Sequence, residues 1–432
     1  MARQAHRAAV FHLLDDPSSG RPPLDAWFED GVLVVEDGHV VEAGDWRVIG
    51  PRLGDGVAVT RHQGALIVPG FVDAHVHYPQ IDMIASPGGQ LLDWLKNYTF
   101  PAETRFADPA VAAETASFFL DQLLAHGTTT ALVFATVHKG SVEALFDAAL
   151  ARNMRIAAGK VLMDRNVPPD LSDTAESGHA DSVDLLHRYH GQGRLTYAVT
   201  PRFAASSTER QLELAGRLLA ENPGVLLQTH LSENSDEIAL VRRVYPDCPD
   251  YFGVYEKFGL ATDRSVFAHC IHLSPDEWRR LGVRGAAAAF CPTSNLFLGS
   301  GLFDLASAER EHVCVGLGSD IGAGTSLSLL ATMSEAYKVG QLRRQSLNAF
   351  KLFYLATLGG AKALKMDDKI GNFAPGKEAD FVVLDWAATP LLKRRIAHAG
   401  STADKLFALA ILGDDRAVAH TYVMGERAYS RV

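Results

Sequence analysis

The sequence has few cysteines and no paired spacing among them. Cys248, Cys270, Cys291 and Cys314 lie far apart with no C-x-x-C, which excludes a disulfide framework and a thiolate zinc knuckle and fits reduced thiols in a cytoplasmic protein. No apolar run approaches the ~18 residues of a membrane span, so no membrane partner is expected. The stretch after Met1 is briefly apolar but soon meets Asp15 and Asp16, without the length or cleavage pattern of a secretory signal. An excess of positive charge is missing as well. Lys+Arg number 41 against 51 Asp+Glu, a net charge of −10, and no nucleic acid is expected as a partner. No G-x-G-x-x-G opens a helix after an early strand, so a nucleotide-binding doubly wound sheet has little support. What is present is a 432-residue chain of ordinary globular composition, 47% apolar and 21% charged.

Short β-rich runs separated by Gly and Asp turns fill the first 65 residues, and the same style resumes after the turn Ala374-Pro375-Gly376. Between them, apolar runs alternate with amphipathic stretches. The spacing predicts strands over 65–75, 128–134, 155–162, 195–200, 225–230, 265–269, 285–290 and 312–318. Helices are expected over 108–126, 141–152 and 207–221. Eight β-then-helix units require parallel crossovers, so the fold class is α/β, a (β/α)8 TIM-like barrel. A small β-sandwich subdomain is expected from the N- and C-terminal segments. The domain division is then 1–65 for the first part of that subdomain, 66–370 for the barrel and 371–432 for the rest.

His75-Val76-His77 closes the first barrel run, and period-two alternation points both imidazoles to one side. Alone this is weak, since 17 histidines in 432 residues yield roughly one H-x-H by chance. Three more strand ends strengthen it. The runs 225–230 and 265–269 end in His230 and His269, and Asp320 follows the last run. Imidazoles and one carboxylate brought to the C-terminal rim of a barrel suit Zn²⁺ with a position left open for water. Glu233, three residues past His230, can serve as a proton shuttle beside such a site. It can equally open an acidic helix start over 232–237. Lys160 is the one candidate for bridging a second metal. The other zinc-deaminase fold needs H-x-E with P-C-x-x-C, and Cys291-Pro292 has the wrong order.

The whole set resembles the amidohydrolase superfamily, over about residues 65–385. Several words resemble its guanine deaminase family in particular: Pro69 to Gln80, Gln90 to Glu103, Thr200-Pro201-Arg202-Phe203, Gln228 to Asn234, and Cys291 to Leu296. Asp320 to Gly324 departs from the family's more glycine-rich run, which touches loop shape and not a ligand. The resemblance implies that His75, His77, His230 and Asp320 hold one Zn²⁺ per chain. It makes Glu233, His269 and Asp320 the catalytic groups, and Gln80, Arg202, Phe203, His230 and His269 the contacts to the purine. The activity implied is zinc-dependent deamination of guanine to xanthine and ammonia in purine catabolism, by a cytoplasmic homodimer. The alternatives are a deaminase of a related aminopurine, pterin or triazine ring, and a non-catalytic barrel.

Overall fold

Gly70 is the joint between two sheets. The expected first run, 65–75, is in fact two strands: Ala58–Pro69 pairs with Phe381–Asp385 in one sheet, and Phe71–His77 opens the barrel. The Gly70 N–H donates to Asp380 O (2.9 Å), and a Cβ there would lie 2.1 Å from Thr129 Oγ1. Only glycine passes at that distance. Both flanking runs are buried and apolar, so hydropathy alone does not show the break. The computed structural model describes residues 3–20, 22 and 24–431. Met1 and Ala2, at the head of the expected N-terminal segment, lie outside them.

The barrel follows with Thr128–Phe134, Arg155–Gly159, Thr196–Pro201, Leu226–Leu231, Ser265–His269, Ala287–Phe290 and Cys314–Leu317, each parallel to its neighbour. The expected run 155–162 stops at Gly159, and Val161–Leu162 pairs separately with Thr200 and Pro201. Closure comes from backbone bonds between the last strand's exit and the first strand. Asp320 N–H donates to His75 O, and His77 N–H to Ile321 O, both at 2.9 Å. Alternate residues divide into two cores. Leu132, Ala157, Ala198, Ala268 and Ala289 fill the interior with small side chains. Their neighbours Val133, Ile156, Tyr197, Phe267 and Phe290 pack outward on the helices. The helix Pro109–Ala125 shows how those helices begin: Asp108 caps Ala110 N–H and Pro109 occupies the first turn.

The small β subdomain is built from both chain ends, as expected, and its strands fold over so that the two halves share one buried core, in which Leu33, Val35 and Val40 meet Phe381, Val383 and Tyr422. Its order is Glu426–Ser430, Val418–Val423, Phe381–Asp385, Ala58–Pro69, Gln4–Leu13, Asp25–Glu36, His39–Asp45, with hydrogen bonding unbroken along the path. Only Gln4–Leu13 and Ala58–Pro69 run parallel. One face packs on the barrel layer through Phe11, Leu66, Val68 and Val382. The other face carries its own core of Val10, Ile67, Phe381 and Val383. Arg155 and Arg194, at the N-terminal ends of two barrel strands, pair with Glu378, and Arg194 also reaches Asp380 (2.6 Å). Among the described residues no helix is long and apolar enough to cross a membrane.

Candidate active site

A shift of register in the first barrel strand aims the two adjacent histidines. Val72 and Ala74 face the barrel interior. The pairing with the second strand then slips between Asp73 and Val76, so that Val76 turns outward and His75 and His77 enter the site. Such bulges re-aim side chains beside active sites. His77 Nε2 lies 3.2 Å from His75 Nε2 and 3.2 Å from His230 Nε2. Asp320 Oδ1 is 3.3 Å from His75 Nε2 and 3.5 Å from His77 Nε2. These four atoms could hold a metal ion. A tetrahedron with ~2.0–2.1 Å bonds has edges of about 3.3 Å, and zinc takes imidazole and carboxylate at those lengths. His230 Nδ1–H donates to Arg202 O (2.6 Å), which fixes the tautomer and leaves the Nε2 lone pair facing the others. Burial lowers all three imidazoles, His75 to about 3 and His77 and His230 well below the usual value. Neutral rings are what coordination requires.

His269 reaches the same rim by a different device. Val266 and Ala268 face the interior, so alternation would send His269 outward. Its left-handed backbone (φ 73°), followed by Cys270 (φ 52°), turns it into the cleft. Asn295 Nδ2 donates to its Nδ1 (2.9 Å), so the neutral ring carries its proton on Nε2, 3.4 Å from Glu233 Oε2 and 3.9 Å from Asp320 Oδ2. Glu233 precedes the helix Ser235–Val244, whose cap is Asn234. The carboxylate at the helix start that accepts backbone N–H groups is Glu237, from Glu233 (2.9 Å) and Asn234 (3.2 Å). Glu233's own side chain is thus spared for the cleft, where Ser300 Oγ donates to its Oε1 (3.1 Å). Burial first, then the charges of Asp320 and Glu237, hold its carboxyl well above the usual range.

The cleft is lined by His77, His230, Glu233, His269 and Asp320 on its polar side. Leu91, Trp94, Leu95 and Leu298 form the apolar side, a composition suited to a small flat ligand. Gln80, Arg202 and Phe203 line it as well, so all the candidate residues meet in one place except His75, which lies beneath. Phe203 spends both backbone groups on Ser206 (3.3 and 2.8 Å), leaving its ring as what it can offer. Lys160 does not join the cluster. It is buried against Asp173, and the amine needed to bridge a second metal is already committed.

Several site residues escaped the sequence reading. Glu103 accepts from Arg202 Nη1 (2.7 Å) and Nη2 (3.0 Å) and from Gln80 Nε2 (3.0 Å). Asp73, fully buried, accepts from the backbone N–H groups of His75 (3.2 Å) and Ser319 (3.0 Å), tying the strands that carry His75 and Asp320. Asn295, Ser300 and Glu237 complete the surround. Asp73 carried a local signal, a carboxylate inside an apolar strand. The others lie on loops and helix starts where polar residues are ordinary.

The amidohydrolase family model matches residues 66–428. The chain belongs to the amidohydrolase family. Its similarities within that family are narrower. It is 52% identical to the guanine deaminase of Escherichia coli (strain K12), over 98% of this chain and 96% of that protein. The solved structure of E. coli guanine deaminase covers 99% of this chain and 100% of its own, with a TM-score of 0.97 at 50% identity. The guanine deaminase of C. acetobutylicum, solved with guanine bound in its active site, gives 0.89 at 28% identity, covering 99% of this chain and 100% of that one.

Proposed function

We propose that this chain hydrolyses guanine to xanthine and ammonia, using one Zn²⁺ per chain held by His75, His77, His230 and Asp320. The observation that carries the reading is the convergence of three imidazole nitrogens and one carboxylate, with His77 Nε2 3.2 Å from both His75 Nε2 and His230 Nε2 and Asp320 Oδ1 3.3 and 3.5 Å from His75 and His77, at a cleft that also holds Glu233 and Arg202. The likeness to guanine deaminases along nearly the whole chain supports the substrate. When bound, the ion supplies the Lewis acidity that makes water a nucleophile near neutral pH. Glu233 takes a proton from the attacking water and delivers it to the ring nitrogen beside C2, which makes C2 electrophilic. The raised pKa of its carboxyl suits a group that must carry that proton. His269 Nε2–H and Asp320 orient the water and hydrogen-bond the tetrahedral carbon's oxygen. A second proton, again through Glu233, lets the amino group leave as ammonia. Arg202 donates to O6, Gln80 pairs with the lactam edge, and Phe203 offers an apolar face.

Residues 66–370 perform this chemistry in our reading, with 1–65 and 371–432 as the β subdomain. Four free thiols suit a cytoplasmic enzyme of purine catabolism, and we take it to be a homodimer, which light scattering tests. The decisive experiment follows ammonia release and ultraviolet change on guanine, adenine, 2-aminopurine, a pterin and a triazine. Guanine is expected to give the highest kcat/KM. An inert guanine beside an active competitor would overturn the assignment.

A further inference from the structure

Glu103 belongs to no strand end and no metal-binding cluster, yet its side chain is fully buried. A carboxylate taken out of water demands charged or polar partners on both oxygens. Its Oε2 accepts from Arg202 Nη1 (2.7 Å), and its Oε1 accepts from both Arg202 Nη2 and Gln80 Nε2 (3.0 Å each). One group therefore holds the two side chains that offer hydrogen bonds to a ring in the cleft. The two-point contact fixes the plane of the guanidinium, and Phe100, from the same short helix, places its ring centroid 5.5 Å from the guanidinium carbon. Gln80 is fixed from both ends: its Nε2 donates to Glu103, and its Oε1 accepts from Gly322 N–H (3.1 Å). Its amide cannot turn over without losing both bonds, so the donor and acceptor it can still show a ligand are set.

We propose that Glu103 is a positioning residue that sets recognition of the 6-oxo ring by holding Arg202 and Gln80 in register. The proposal deepens the guanine assignment and rests on it. A purely structural Glu103, pinning its helix to the barrel, would affect every ligand alike. One acting through Arg202 discriminates between rings with and without an oxygen at C6.

The test is Glu103→Gln in the zinc-loaded protein. The amide keeps the shape but sets an NH₂ against the donors of Arg202 or Gln80. Guanine kcat/KM should fall about 10²-fold, mostly through KM, as small misplacements in a polar site do. The inhibition constant of 2-aminopurine, which lacks the 6-oxygen, measured against guanine should move by less than about threefold. In an Arg202→Ala background, Glu103→Gln should add clearly less than its loss in wild type, because only the part of its effect that passes through Gln80 remains. Equal weakening of both rings, an unchanged guanine constant, or a full additional loss in the Arg202→Ala background would overturn the proposal. Zinc content and Tm accompany each variant. Should Glu103→Gln not fold, Glu103→Asp, which keeps the charge but shortens the reach, is expected to show the same selective loss. Wild-type protein inert on guanine would overturn the functional assignment and this inference together. Active wild type with an unselective variant overturns the inference alone.

Discussion

At the N-terminal end of the barrel, Arg155 and Arg194 are buried, but each ends on a carboxylate, and Glu378 and Asp380 find their cations in turn. At the C-terminal end the buried groups are arranged the other way. His75, His77 and His230 set lone-pair nitrogens toward one another, and His75 and His77 also toward Asp320, with no cation among the described residues paired to them. The backbone differs as well. Ser232, His269 and Asp320 all adopt left-handed conformations at the rim (φ 51°, 73° and 52°), a strain of about 1–3 kcal/mol each that persists only where surroundings impose it. A charge set closed on itself joins two parts of the fold. An open set of like donors, held under strain, marks a place for something brought from outside.

The largest expected effect comes from filling or emptying the open set. One zinc per chain is expected by elemental analysis, and chelation should reduce turnover to background, with recovery on adding Zn²⁺. Metal-free protein that is fully active would break the comparison outright. Next comes Glu233→Gln, which keeps every ligand atom and removes one transferable proton. Deamination should fall at least ~10²-fold while zinc content and Tm stay near wild type. If Glu233 only started the helix, Tm would drop slightly and turnover would stay near normal. The bonds to Glu237 already argue against that alternative.

How much of this was legible in the sequence depended on whether a residue's neighbours in the chain were also its neighbours in space. His75, His77, His230 and Asp320 lie at or just past the ends of apolar strands, so the barrel's geometry carries them to one rim. Glu103 reads as a surface acid on a short helix, and its burial is decided by Arg202, 99 residues later. The bulge after Asp73, the turn-in of His269 and the break at Gly70 were hidden for another reason. Each depends on a backbone approach, and apolar residues lie on both sides of it.

The closed set gives a prediction of opposite kind. Glu378→Ala strips Arg155 and Arg194 of a shared partner in a place where their side chains are 6% exposed. Burial alone would raise the Glu378 carboxyl, and the two guanidinium groups more than reverse this, holding it below the usual range. Removing one member of a buried pair destabilises by about 3–5 kcal/mol. Denaturant unfolding should show that loss, while kcat per folded molecule stays within error. A variant with normal stability and impaired kcat would mean that the two ends of the barrel are not separate in role.

The smallest effect is expected in the β subdomain, from histidines that are buried without a metal-like arrangement. His6 Nδ1 lies 3.1 Å from His62 Nε2. Its ring stands edge-on to Phe381 and Tyr422, 4.8 Å from each. Burial first, then the positive charges that His62 and His420 can carry, lowers His6 to about 3. Burial, His420 and Arg427 lower His62 to about 4, while Arg427 and Arg431 face His420. In the unfolded chain these rings titrate near ~6.5. Between pH 6.5 and 4 the unfolded state therefore binds more protons than the folded one, and stability rises with pH. The contribution is fully present above pH 6.5 and is lost as pH falls toward the folded values. Thermal melts of wild type from pH 8 to 4.5 should show Tm falling through that window, and His62→Gln should show a shallower fall with kcat at pH 7.5 unchanged. Parallel Tm curves for the two proteins would mean that the histidines of the candidate site and His12, and not this pair, govern the acid sensitivity of the fold.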